Sequence, residues 1–170
     1  VLDLYKQRIK IDLAVGDFDS LTNHGILRSS NALKLEAIKD ITDTNQALIE
    51  AKKLNPESVL IVGGIGGNRI EHFMAHLLHF EQFPHLRIIN DYSEIFMLKN
   101  QEYKTTHDGY VSIFAYNQAT ISLEGFKYPL KDYLLNQYDP LCISNELKNE
   151  VGRIIIKEGR VLVVLSKRDR

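Results

Sequence analysis

The sequence predicts an α/β segment running to about residue 100, followed by an all-β segment from about residue 104 to the end. Three observations predict this. As far as Asn100, apolar runs and helical periodicities alternate as strand, helix, strand, helix, strand, the pattern of a largely parallel sheet with crossover helices. From Tyr103 on, helical periodicity is scarce and short strand-like pieces dominate. The 170 residues are 44% apolar and 25% charged, an ordinary globular composition with room for one domain or two small ones.

Taken in order, "IDLAVG" (11–16) reads as a short strand ending at Gly16, and "KLEAIK" (34–39) as a second. "TDTNQALIEAKKLNP" reads as a helix. Thr42 and Asp43 are cap-type residues, and Ala47, Leu48, Ala51 and Leu54 make one apolar stripe. Asn55-Pro56 ends it. "SVLIVGG" is wholly apolar, as buried parallel strands are. A helix follows from about Arg69 to Phe83, with Ile70, Phe73, Met74, Leu77 and Leu78 as its core-facing stripe. "LRIIND" and "SEIFMLK" are further strands. In the second segment "GYVSIFAY" and "ATISLEG" read as separate strands, and "RIIIKEGRVLVVLS" as a hairpin turning at Glu158-Gly159. The expected architecture there is a sandwich or barrel.

A net charge of −1 offers no basic field for nucleic acid or an anionic membrane. No apolar run is long enough to cross a bilayer as a helix. The single cysteine, Cys142, excludes an internal disulfide framework and fits a cytoplasmic protein. Flanked by Leu141 and Ile143, it reads as a buried, inert thiol. The chain opens on "VLDLYKQ" without Met, and a preceding segment is expected.

Three constellations carry possible chemistry. In "GDFDS", Asp17 and Asp19 stand two apart after the first strand; in an extended segment both point the same way. At the C-terminal edge of a parallel strand such a pair suits Mg²⁺ and phosphate, and a solvated acidic turn is the competing reading. "GGIGGNRIEH" (63–72) joins a strand to a helix. Its glycines let backbone N–H groups approach a phosphate at a helix N-terminus, and Arg69 is placed to clamp an anion. A simple connecting turn competes, because the spacing is neither of the usual nucleotide fingerprints. In "KDITD" (39–43), Asp43 reads first as a helix cap and second as a further metal carboxylate. His72, His76 and His79 share a helix face at a spacing zinc accepts, but no fourth ligand accompanies them. His76 and His79 are expected on a subunit or solvent face. Ser144 and Asn145 in "CISNE" read as a turn, with the capacity to hydrogen-bond a heterocycle.

Together, "GDFDS", "KDITD", "GGIGGNRIEH", "ND" (90–91), "GFKYPL" (125–130) and "SNE" (144–146) resemble the thiamine pyrophosphokinase family over essentially the whole chain. The resemblance implies an N-terminal Rossmann-like α/β domain with a mostly parallel sheet, over residues 1–100 with its first strand missing. It also implies a C-terminal antiparallel β-sandwich that binds thiamine, over residues 104–170. It implies a homodimer with a shared active site that moves pyrophosphate from ATP to thiamine with Mg²⁺, giving thiamine diphosphate and AMP. The alternative is a non-catalytic thiamine- or nucleotide-binding module of the same fold. On this resemblance Asp17, Asp19 and Asp43 are catalytic and hold the metal. Thr42, Gly64, Gly66, Gly67, Arg69 and Glu71 bind ATP, and Ser144 and Asn145 bind thiamine. The chain departs from the family pattern at Asn68, where glycine is usual, at Glu71, where aspartate is, and at His76, where asparagine is common. The absence of Trp implies a bacterial member.

Overall fold

A computed structural model describes residues 4, 6–19, 21, 25, 27, 31–36 and 41–169. Contacts divide the chain into two compact units, Val1–Pro56 and Glu57–Arg170.

In the first unit β1 (Leu13–Gly16) lies parallel to β2 (Asn31–Lys34), with Gly16 opposite Lys34. The second strand therefore falls just before the expected 34–39, of which residues 37–39 lie outside the described ones. Helix α1 (Asp43–Lys53) begins where Thr42 caps it: the Asn45 N–H donates to Thr42 Oγ1 at 3.1 Å. Thr42 is thus the cap, and Asp43 sits in the first turn, where its charge suits the helix dipole. Lys52 and Lys53 suit the other end. Asn55, with φ 49, and Pro56 stop the helix. Of the expected stripe Leu48 is buried, whereas Leu54 is 83% exposed.

The second unit opens with a βαβ element. β3 (Val59–Val62) is parallel to β4 (Leu86–Ile89), and helix α2 (Ile70–Leu78) connects them, with a short 3₁₀ turn over His79–Glu81. Asn90 then reverses the chain. Its Oδ1 accepts the N–H groups of Tyr92 and Ser93 at 2.9 and 2.7 Å. That sends β5 (Ser93–Lys99) back antiparallel to β4. The sheet continues through β6 (Glu102–Thr105), β7 (Tyr110–Glu124), β8 (Leu130–Asn136) and β9 (Gly152–Ser166), in the order β3-β4-β5-β9-β7-β8 with β6 on β9.

The architecture is therefore mostly strand, with a mixed sheet. Among the described residues parallel pairing is confined to β1–β2 and β3–β4, less than the mostly parallel N-terminal sheet expected. The hydrogen-bonded sheet also runs continuously past residue 100, because β5 pairs β9 along seven positions.

Two readings of the β-rich segment need correction. The expected hairpin at Glu158-Gly159 is one continuous 15-residue strand, β9. Gly159, with φ 91, sits where the β7–β9 register shifts; a Cβ there would lie 2.2 Å from Gln118 O. It marks a bulge that bends the strand, so that β9 serves β6 with its first part and β5 with its last. Likewise "GYVSIFAY" and "ATISLEG" fuse into β7, whose own irregularity falls between Ala115 and Ala119. Alternate residues of the two long strands, Val111, Ile113, Ile121, Ile154, Ile156, Val161 and Val163 among them, fill the core with Phe96, Phe126 and Leu135.

Candidate functional site

In the first unit the candidate acids gather at the end of β1. The strand stops at Gly16, and Phe18 takes φ 60 with its ring buried. The Asp19 N–H donates to Asp17 Oδ1 at 3.1 Å, and the Leu21 N–H to Phe18 O at 3.0 Å. The two aspartates thus flank a tight turn anchored by an aromatic ring; the extended alternation expected from their spacing is not what relates them. A Cβ built on Gly16 would lie 3.4 Å from Asp43 Oδ2. The first turn of α1 therefore lays the Asp43 carboxylate against the end of β1, beside the residue that precedes Asp17. Among the described residues no group of three or more His, Cys, Asp or Glu is arranged to hold a metal by itself.

The second unit carries the glycine loop. Gly63, Gly66 and Gly67 have φ 74, 96 and 86, and a Cβ at any of them would meet nothing within 4 Å among the described residues. Their backbone is bare on the outside and set in a region that side chains disfavour. Gly64 is needed for a different reason: its Cβ would lie 2.7 Å from Ile61 Cγ2, 3.1 Å from His76 Cδ2 and 3.3 Å from Ile88 Cγ2. Asn68 is not among the residues with positive φ, so replacing glycine there demands no left-handed backbone. Arg69 is the N-cap residue of α2. Its Nε donates to Glu71 Oε1 at 3.0 Å, and its Nη2 contacts His72 Nε2. A hydrogen bond from its own backbone N–H, and then Arg69, hold the Glu71 carboxyl below the usual range.

Helix α2 is turned differently from the expected face. Ile70, Met74 and Leu78 are exposed, while His76 and His79 are buried, contrary to the subunit or solvent face expected for them. The two imidazoles stack with centroids 6.3 Å apart, and His76 Nδ1 and His79 Nε2 have no hydrogen-bond partner among the described residues. Burial first, then the charge of a neighbouring histidine, lowers both pKa values. Phe73, Met74 and Leu77 instead border an open groove of about 660 Å³, with Ile65, Ser112, Phe114 and Gln137 also lining it.

Ser144 and Asn145 adjoin in sequence but differ in availability. Ser144 is exposed, at φ 56. Asn145 is buried; its Oδ1 accepts from Tyr128 N and Glu146 N at 3.2 and 2.9 Å, and its Nδ2 donates to Tyr128 O at 2.8 Å. Three of the four bonds its amide can make are committed to the fold. Beside it, Leu123, Tyr128, Leu130 and Cys142 border a pocket of about 240 Å³. Cys142 is buried, and burial pushes its thiol up to about 11. Sequence reasoning missed Phe18 and Ser112; the one signal for Ser112 is a lone hydroxyl within the apolar run "YVSIFAY". A further cavity of about 710 Å³, between Phe80, Arg87, Phe96 and Arg160, is lined by none of the candidate residues.

Residues 1–90 match the family described as thiamin pyrophosphokinase, catalytic domain, and residues 97–161 match thiamin pyrophosphokinase, vitamin B1 binding domain. The chain is 32% identical, over 166 aligned positions, to the thiamine pyrophosphokinase of Bacillus subtilis (strain 168), covering 90% of this chain and 77% of that one. The crystal structure of the Bacillus subtilis thiamine pyrophosphokinase superimposes with a TM-score of 0.86 at 28% identity, covering 98% of this chain and 83% of that one. A thiamin pyrophosphokinase family protein from Enterococcus faecalis gives 0.86 at 28% identity, covering 99% and 85%. With both family regions matched in order along the chain, the protein belongs to the thiamin pyrophosphokinase family.

Proposed function

We propose that this chain transfers the pyrophosphoryl group of ATP to the hydroxyl of thiamine, giving thiamine diphosphate and AMP, as a cytoplasmic homodimer. The observation that carries the reading is the glycine loop. Three left-handed glycines with open space above them lead into a helix whose first residues bring Arg69. Gly63 donates its N–H to Ile89 O at 3.2 Å; the N–H groups of Gly66 and Gly67, a helix N-terminus and a guanidinium make a receptor for phosphate oxygens. Arg69 rests on Glu71 and exchanges that carboxylate for phosphate when the nucleotide arrives.

Asp17, Asp19 and Asp43 would offer Mg²⁺ carboxylate oxygens, the donor type it prefers. Mg²⁺ takes one or two protein carboxylates and fills the rest of its shell with phosphate and water, so these aspartates need not form a complete cage. A metal held by these carboxylates would supply charge neutralisation to the triphosphate. The chain's own residues position the reactants. Thr42 fixes the start of α1 and hence Asp43, Phe18 anchors the Asp17–Asp19 turn, and Ser144 offers its hydroxyl to thiamine. The thiamine oxygen then bonds to the β-phosphorus as the bond to the α–β bridging oxygen breaks. AMP leaves with that electron pair, and the hydroxyl proton is lost. Positioning and electrostatics supply most of the rate.

The exposed apolar residues of α2 support a dimer. The proposed functional division is an ATP-binding part to about residue 100 and a thiamine-binding part from about 104. The family matches at 1–90 and 97–161 support it. A Rossmann-like first part and a sandwich second part are proposed on the same ground. The test is incubation of the protein with thiamine, ATP and Mg²⁺. AMP and thiamine diphosphate appearing one for one is the expected result. Thiamine binding without AMP would make the chain a binding module, and ADP or free pyrophosphate would point to another acceptor.

A further inference from the structure

Between Cys142 and Asn145 the chain is fastened to β7 at two places. Ile113 N donates to Cys142 O at 2.8 Å, and Val111 and Asn145 exchange bonds of 2.7 and 2.9 Å. Ser112 lies between these fastenings. The alternation that buries Val111 and Ile113 turns Ser112 toward the opposite face, where it is half-buried and lines the 660 Å³ groove. There its Oγ accepts the backbone N–H of Ser144 at 2.9 Å. Ser144 holds φ 56, a left-handed conformation that a serine adopts at a cost unless its surroundings hold it.

We infer that Ser112 is a positioning residue for thiamine: its hydroxyl fixes the left-handed peptide of Ser144 and so aims the Ser144 side chain at the substrate. The inference rests on the reading of Ser144 as a thiamine contact. The two backbone fastenings hold the ends of the 142–145 segment without Ser112. What Ser112 adds is the orientation of the single peptide between them, which binding feels and global stability scarcely does.

The experiment uses Ser112→Ala and Ser112→Thr in the full-length protein. Three quantities are read: KM for thiamine, KM for ATP, and hydrogen exchange at the Ser144 amide. Loss of one hydrogen bond predicts roughly a three- to ten-fold rise in the thiamine KM for Ser112→Ala. The ATP KM stays within about two-fold, and the Ser144 amide exchanges faster. Ser112→Thr, which keeps the acceptor oxygen, restores all three. Unchanged amide exchange overturns the inference, as does faster exchange with an unchanged thiamine KM, or a parallel rise in both KM values. Failure of the underlying kinase reading is distinguishable, because it appears in the unsubstituted protein as an absence of thiamine diphosphate.

Discussion

Gly64→Ala isolates the steric half of the glycine loop. Gly64 has no left-handed φ, so alanine meets no backbone objection; the whole cost is contact. The new methyl would sit 2.7 Å from Ile61 Cγ2, closer than carbon atoms approach, and 3.1 Å from the His76 ring. Neither neighbour yields easily. The Ile61 Cγ2 belongs to a stiff β-branched side chain on β3, and His76 is buried. Overpacking of this kind costs about 1–3 kcal/mol, which for a chain of this size lowers Tm by roughly 3–9 °C. Thermal unfolding of the purified variant measures it, with ATP affinity as a second readout that should weaken as the loop is pushed outward. A double-mutant cycle with Ile61→Ala should recover at least about 0.5 kcal/mol, because the two changes share one contact. Gly64→Ala as stable as the parent, or strict additivity in the cycle, would refute the packing argument.

Three further outcomes are expected. The pKa values of His76 and His79 lie below the ordinary 6.5, chiefly through burial, so the unfolded chain takes up their protons first. Stability is complete above about pH 6.5 and falls as pH drops toward the lowered folded values; urea midpoints between about pH 7.5 and 5.0 should decline, and replacing both histidines with leucine should flatten that decline. Cys142, buried with its thiol pushed up to about 11, should resist thiol reagents in the native protein at about pH 8 and react once urea unfolds it; rapid native labelling would contradict its burial. Asn145→Ala should destabilise by about 1–3 kcal/mol in urea unfolding, because it removes three hydrogen bonds that the buried amide makes to the Tyr128 and Glu146 backbone. A stable variant that only loses thiamine affinity would give Asn145 a purely binding role.

Local chemistry was legible wherever it acts within a few residues. The cap-type pair at Thr42-Asp43 and the stop at Asn55-Pro56 bound α1 to within a residue or two. The run "SVLIVGG" followed by an amphipathic stretch gave the βαβ element. What the sequence concealed depends on distant partners. Glu158-Gly159 has the composition of a hairpin turn, and only the close approach of the Gln118 carbonyl on β7 makes it a bulge. The periodicity of α2 marks an apolar stripe but not which way it faces; His76 on the helix and His79 just after it are buried, while Ile70, Met74 and Leu78 are exposed. Asp17 and Asp19 were found by their spacing, yet the left-handed Phe18 between them replaces the extended geometry that spacing suggested. Ser112 could not be singled out, because its partner lies 32 residues away.

The most direct test of the account is a crystal structure of the full-length protein with thiamine, a non-hydrolysable ATP analogue and Mn²⁺ in place of Mg²⁺, the cation located by its anomalous scattering. The account predicts a cation bridging the analogue's phosphates, with carboxylate oxygens from Asp17, Asp19 or Asp43 at about 2.1 Å. A cation bound to phosphate and water alone, with all three aspartates beyond coordination distance, would contradict it.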